Sequence, residues 1–330
     1  MGEFDLIARY FRRPARRAAL GIGDDCALLP ALPGQELAIS SDMLVEGRHF
    51  FADVDPAALG HKALAVNLSD LAACGAEPLG FTLALALPRV DEAWLAGFSR
   101  GLLTLADAEH CELMGGDTTR GPLNICITVF GTVPVVAETG QSQALLRSGA
   151  NPGDDLYVSG SLGDARLALD AMRGTIELPP TLLDAARRRL EMPSPRVALG
   201  LALRGVASAA IDLSDGLAGD LQHVLKASRV GASIDTDATL NLLAARSHAD
   251  WHSTGLSAAD ALTAVLSGGD DYELAFTAPV TKRDAVQAAA WTSNTVVTRI
   301  GHIESQAGLR WLDAGGAPVP NVFASFDHFA

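Results

Sequence analysis

The sequence predicts an α/β chain built as two mixed α/β domains, and three observations predict it. The chain has 330 residues, more than a single hydrophobic core of ordinary size needs. Apolar runs with strand character alternate with segments of helical spacing from end to end. A polar stretch carrying Gly140, Gly149, Pro152 and Gly153 interrupts that alternation near the middle, which predicts domains over 1–149 and 150–330.

The elements follow in order. Phe4, Leu6, Ile7, Tyr10 and Phe11 have helical spacing, so the chain opens on a short helix. "ELAIS" is a strand that delivers Ser40, Ser41 and Asp42 at its end. Asp55-Pro56 reads as an N-cap followed by proline at the first helical position, starting a helix through "AALGHKALAVNLSDLAACG". "FTLALALP" is a strand and "DEAWLAGFSRGLLTLADAEH" a helix. "CELM" and "LNICITVFGTV" are strands on either side of "GGDTTRG", which has too much glycine for a helix or a good strand and is expected to be a loop. Beyond the polar stretch come the strand "DLYVSGS", the helix "DARLALDAMRG", two helices separated by "PSP", and the strand "ASAAIDLSD" feeding the helix "GLAGDLQHVLKAS". The strands "YELAFTA" and "VVTRIGHI", with a helix between them, follow later.

Composition excludes several functions. Hydrophobic residues make up 48% and charged residues 19%, the balance of a compact chain rather than a disordered one. A net charge of −14, from 39 acidic and 25 basic residues, argues against a nucleic-acid or anionic-membrane surface. It leaves room for a small phosphorylated substrate, because a divalent cation bridges two anions. Cys26, Cys74, Cys111 and Cys126 form no CxxC pair and read as reduced thiols of a cytoplasmic protein. The N-terminus carries Glu3 and Asp5 and lacks the apolar core of a signal peptide, and the uncharged stretch 121–137 is broken by prolines and glycines.

Acidic residues recur beside Gly, Ser and Thr, in "GIGDDC", "ISSDM", "NLSDL", "GGDTTRG", "IDLSDG" and "SGGDDY". One such tripeptide is usually a turn. Several at the ends of apolar strands suit another purpose. Small neighbours let phosphate approach the backbone, exposed N–H groups cradle anions, and carboxylates hold Mg²⁺ against phosphate oxygens. "GDD", "LSD" and "GGD" occur in that order in both halves, which raises an internal duplication as one explanation. There is no GxxxxGK[ST], no GxGxxG opening a βαβ unit, and no protein-kinase signature, so any nucleotide is expected to be held mainly through metals. "SIDTDATL" matches the DxDxT pattern of phosphatases that form an aspartyl-phosphate on a residue placed like Asp235. It lies too near the C-terminus for that fold and leaves the upstream acidic segments unexplained.

The segments "GEFDLIARYF", "GIGDDCALL", "LAISSDMLVEGRHF", "GHKALAVNLSDLAACGAEP", "GGDTTRGPL", "RSGANPGD", "AIDLSDGLAGDL", "SGGDDYELAF" and "FDHFA" together resemble the thiamine-monophosphate kinases. These belong to the superfamily of aminoimidazole ribonucleotide synthetase and selenophosphate synthetase, and the likeness covers nearly the whole chain. The resemblance implies transfer of phosphate from ATP to thiamine monophosphate, directly and in line, with several Mg²⁺ ions. It also implies a homodimer paired through the N-terminal sheets, with a C-terminal domain completing the active site. Matched motif by motif, Asp25 and Asp212 are expected to share a metal. Ser40, Ser41, Asp42, Asp70 and Asp117 are expected to hold others, and Asp215 a further one. Gly116, Asp117, Arg147 and Ser214 would contact ATP. His49, Asp270 and Phe326 would contact the substrate. The family commonly has Glu at the position of Asp270 and Tyr or Trp at that of Phe326. No catalytic base is expected, because the acceptor is already a phosphate. Two rival readings are another ATP-dependent enzyme of the superfamily acting on a different small acceptor, and a nucleotide-binding module without turnover.

Overall fold

A computed structural model describes residues 2–22, 26–320 and 323. Asp25 and Phe326 lie outside the described residues. The contacts divide the chain into two compact units, one of residues 1–71 and 76–143, the other of residues 72–75 and 144–330.

In the first unit, α1 (Glu3–Tyr10) buries Leu6. β1 (Gln35–Val45) follows, then α2 (Pro56–Ala73), β2 (Glu77–Leu87), α3 (Glu92–Ala108), β3 (Glu112–Arg120) and β4 (Asn124–Pro134). The expected cap is present: Asp55 Oδ1 accepts the N–H groups of Ala57 and Ala58 at 2.9 and 3.0 Å. The four strands run in the order β1-β4-β2-β3. β4 pairs antiparallel with β1 and β2, while β2 and β3 pair parallel, joined through α3. Along β1, half-buried and buried Ala38, Ser40, Asp42 and Leu44 alternate with exposed Leu37, Ile39, Ser41 and Met43. Period-two alternation thus sends Ser40 and Asp42 to one face and Ser41 to the other.

The expected loop "GGDTTR" is a strand instead. Among the described residues it is the edge of the sheet, paired to β2 alone. Glycine is needed there for packing rather than for turning. Gly116 has φ +146°, and a Cβ on it would come within 1.9 Å of the Leu83 carbonyl oxygen.

The second unit contains β5 (Asp155–Ser159), α4 (Asp164–Met172), α5 (Pro180–Glu191), α6 (Val197–Ala202), β6 (Ala209–Leu213), α7 (Leu217–Ser228) and β7 (Gly231–Asp235). After these come α8 (Thr236–Leu240), α9 (Ala258–Ser267), β8 (Glu273–Ala278), α10 (Arg283–Thr292), β9 (Val297–Glu304), β10 (Gly308–Leu312) and β11 (Pro318–Val319). Its seven-stranded sheet has the order β11-β10-β7-β9-β5-β8-β6. β5, β6 and β8 are buried along their whole length, and their apolar residues join those of α7 and α9 in one core. α8, α9, β10 and β11 are additional to the elements expected from the sequence; α9 starts on a capping box of Ser257 and Asp260.

The repeated tripeptides do not occupy matching elements. "LSD" lies inside α2 in the first unit and at the end of β6 in the second; "GGD" lies on β3 in the first and in the turn before β8 in the second. No disulfide joins the cysteines among the described residues; Cys111 is buried and Cys26 exposed.

Candidate active site

In the first unit the acidic and hydroxyl side chains gather where β1 passes α2. Ser40 Oγ donates to Asp70 Oδ2 at 2.5 Å, and the Asp42 N–H donates to Asn67 Oδ1 at 3.0 Å. Asn67 and Asp70 are three residues apart on α2, so they share a helical face. Ser40, Asp42 and Asp70 therefore form one group of oxygens, which suits a hard cation that takes one or two carboxylates and completes its shell with water and phosphate. Asn67, to which sequence reasoning assigned no role, ties that group to the helix; its Nδ2 donates to the Ala63 carbonyl at 3.0 Å.

Ser41 and Asp117 are not part of that group. Ser41 Oγ donates to the Ile127 carbonyl at 3.2 Å and lies 3.0 Å from Thr128 Oγ1 on the open face of β1. Asp117 is exposed on β3 opposite Ala84, in the row that continues through Cys126 to Met43 on that same open face. Three strand spacings, about 14 Å, separate β1 from β3. Among the described residues no three of His, Cys, Asp and Glu are gathered as a ready metal cluster.

Gly116 and Asp117 border a cavity of about 830 Å³ within this unit. Phe11, Met114 and Phe130 supply apolar walls and Arg12 a cation. A concave apolar wall beside a few polar groups is the usual form of a small-molecule site.

His49 sits on the turn after β1. Gly47 adopts φ +77° there, and the Gly47 N–H closes the turn on the Phe50 carbonyl at 2.9 Å. The Val45 N–H donates to His49 Nδ1 at 3.0 Å, so the ring hydrogen resides on Nε2 and is a donor. Buried Lys62 donates to the His49 carbonyl at 3.4 Å.

In the second unit two acidic segments lock together at the end of β6. The Asp270 N–H donates to the Ser214 carbonyl and the Tyr272 N–H to the Leu213 carbonyl, both at 2.8 Å. The approach is so close that a Cβ on Gly269 would lie 2.5 Å from the Ser214 oxygen, and one on Gly216 2.8 Å from the Gly268 oxygen. Asp212, Ser214, Asp215 and Asp270 are thus brought into one neighbourhood. Asp270 has φ +65°. Aspartate tolerates that left-handed geometry better than most residues.

Asp220, in the first turn of α7, accepts the Asp215 N–H at 3.0 Å. Burial pushes its carboxyl up to about 7; the charge of Asp215 adds to the rise, and N–H groups of Asp215, Ser214 and Gly216 oppose it. Arg147 is exposed on a segment that runs beside β6, where the Ala210 N–H donates to the Leu146 carbonyl at 2.9 Å. The Arg147 carbonyl accepts Ser228 Oγ at 3.1 Å, and the same hydroxyl accepts the Gly149 and Ala150 N–H groups at 3.1 Å, so this turn is fixed.

Asp235 has a structural task. Its Oδ1 accepts the N–H groups of Asp237 and Ala238 at 2.9 and 3.0 Å, capping α8. The "DTDAT" pattern is a strand end followed by a helix cap.

Residues 23–133 match the family described as AIR synthase related protein, N-terminal domain, and residues 151–311 the corresponding C-terminal domain. The thiamine-monophosphate kinase of Salmonella typhimurium is 47% identical over 335 aligned positions, spanning 100% of this chain and 98% of that protein. The chain belongs to the thiamine-monophosphate kinase family. It is a kinase that phosphorylates thiamine phosphate. Solved structures agree with this. The thiamine-monophosphate kinase of Stenotrophomonas maltophilia superposes with a TM-score of 0.80 at 42% identity, covering 93% of this chain and 94% of that one. AaThiL complexed with AMPPCP and TMP superposes with a TM-score of 0.76 at 26% identity, covering 91% and 89%.

Proposed function

We propose that the chain is a Mg²⁺-dependent ATP:thiamine-monophosphate phosphotransferase that makes thiamine diphosphate by direct in-line transfer. The observation that carries this is the full-length match to kinases of that name, joined to a structural neighbour that holds AMPPCP, an ATP analogue, together with TMP. The oxygen group of Ser40, Asp42 and Asp70 fits Mg²⁺ by its donor chemistry. Ser41, Asp117, Asp212 and Asp215 are further proposed ligands. Asp25 is another, outside the described residues. Bound there, several Mg²⁺ ions would neutralise the charge that builds up between two phosphates.

The chain's own residues have simpler tasks. Gly116 lets nucleotide phosphate approach the edge of β3. Arg147 pairs with phosphate oxygens, and Ser214 offers a hydroxyl. His49 presents its Nε2–H as a neutral donor to the acceptor, and the carboxylate of Asp270 faces the thiamine cation. Phe326, outside the described residues, is proposed to offer that cation an aromatic face. Since the attacking atom is a phosphate oxygen, positioning rather than proton abstraction is the protein's contribution.

The reading includes a cytoplasmic homodimer, with an N-terminal domain over 1–149 that binds ATP and Mg²⁺ and dimerises, and a C-terminal domain over 150–330. The open face of β1 supports pairing through the first unit: Leu37, Ile39 and Met43 are each more than half exposed there, in a row. No described helix is long and apolar enough to cross a membrane.

The test is product analysis after mixing the protein, ATP, Mg²⁺ and thiamine monophosphate. Thiamine diphosphate and ADP in equal amounts are expected. ADP appearing only with a different small acceptor would favour the other-synthetase reading. ATP binding without product across acceptors would favour a binding module.

A further inference from the structure

Glu273, the first residue of β8, is a fully buried carboxylate to which the proposed chemistry gives no role. Its Oε2 accepts Ser159 Oγ and Arg196 Nε, both at 2.6 Å. Its Oε1 accepts Arg189 Nη2 at 2.7 Å and Arg196 Nη2 at 2.5 Å. The Arg196 guanidinium is therefore bidentate, and a second guanidinium closes the group. Ser159 Oγ in turn accepts the Leu274 N–H at 2.9 Å. The neighbouring carboxylate, Asp271, is also buried and accepts the Gly163 N–H at 3.1 Å.

Such a cluster is poor value as a stabiliser. Desolvating a carboxylate and two guanidinium groups offsets most of their attraction, and an apolar packing of the same volume usually serves as well. Its place in the chain gives a reason for it. Asp270 and Tyr272, on either side of Asp271, have φ +65° and +52°. Two non-glycine residues in left-handed geometry within three positions are strained, and they persist only where their surroundings over-determine them. Here the N–H groups of Asp270 and Tyr272 are tied to the end of β6, while the side chains of Asp271 and Glu273 are tied to the other side of the turn. The backbone is gripped on both sides of Asp270, whose Oδ1 accepts the Tyr272 hydroxyl at 3.4 Å.

We propose that Glu273, held by Arg189 and Arg196, is a positioning residue that fixes the left-handed backbone of Asp270 and so sets how the Asp270 carboxylate meets the cationic thiamine acceptor. The proposal rests on the reading that Asp270 serves the acceptor. Neither Glu273 nor the arginines touch substrate; they act through Asp270.

The experiment compares Michaelis constants in Arg196→Lys, which keeps the charge but loses the two-pronged bond. The KM for thiamine monophosphate should rise about tenfold, with the KM for ATP and the melting temperature nearly unchanged. In an Asp270→Ala background, the same substitution should change KM less than about twofold, because a group acting only through Asp270 has nothing left to position. Glu273→Gln should shift KM in the same direction by more. Should Arg196→Lys not fold, Arg189→Lys, which removes one contact instead of two, carries the same comparison. An unchanged KM in the folded variant overturns the proposal. So does an equal rise for ATP and thiamine monophosphate, or a full additional effect on top of Asp270→Ala. A wild-type protein that forms thiamine diphosphate while failing these tests leaves the functional reading intact and removes only this inference. A wild type that forms none removes both.

Discussion

The acidic residues of the two units are held in opposite ways. In the first unit, Ser40, Asp42 and Asp70 are half-buried, with Ser40 Oγ donating to Asp70 Oδ2 and the Asp42 N–H to Asn67 Oδ1, while Asp117 stands exposed on an edge strand. In the second, Asp271 and Glu273 are sealed in, and the turn that carries Asp270 is bonded on both sides. A group that must yield its bonds to a metal and its waters cannot be locked; a carboxylate that must meet an organic cation at a fixed angle gains from being so. Substitutions in the oxygen group of the first unit should therefore remove turnover without unfolding, and those in the turn that carries Asp270 should shift affinity.

The largest effect is expected in Asp42→Asn and Asp117→Asn. Each removes a charge proposed to hold metal, and turnover should fall about a hundredfold or more at saturating Mg²⁺, with an unchanged melting curve. Near-normal rates in both would erase the proposed distinction between the units. Next is Gly116→Ala. The added Cβ meets the Leu83 carbonyl at 1.9 Å, so β3 must move; a loss of about 2 kcal/mol or more in denaturant unfolding is expected, together with weaker ATP binding. A variant as stable as wild type would show that the edge strand adapts freely.

These predictions depend unevenly on what the sequence disclosed. Helix caps, the β2-α3-β3 order and the burial of long apolar runs are local or periodic properties, and they were readable. The strand at "GGDTTR" was not, because its pairing partner Leu83 is remote in sequence and supplies the reason for glycine. The acidic segments were conspicuous, and the chain does bring Asp212, Ser214, Asp215 and Asp270 together, as it does Ser40, Asp42 and Asp70. The division of Ser41 from Ser40 was missed because the strand was expected to end at "ELAIS", whereas its alternation continues to Val45. The anchoring roles of Asn67, Arg189 and Arg196 were also hidden, since a polar side chain's partner across the fold leaves no mark in the sequence around it.

Asp220 gives a smaller, pH-dependent effect. Its carboxyl titrates near 7 in the fold against an ordinary 3.8, because burial favours the neutral form. Its stabilising contribution is thus fully present below about 3.8 and is lost as pH rises through about 7. In metal-free protein, Asp220→Asn should lose less stability than wild type between pH 5 and pH 8, measured by urea unfolding at each pH. A parallel decline in both proteins would place the titration elsewhere. The smallest effect belongs to the cap: Asp235→Ala should cost about 1 kcal/mol of stability and leave turnover untouched. An inactive but folded variant with phosphate trapped on the protein would revive the phosphatase pattern.

The most direct test of the whole account is turnover of thiamine monophosphate against thiamine, with ATP and Mg²⁺ fixed. A site that works by positioning two phosphates, with no base to take a proton from a hydroxyl, should convert thiamine monophosphate to thiamine diphosphate and leave thiamine unchanged. Equal phosphorylation of thiamine would contradict it.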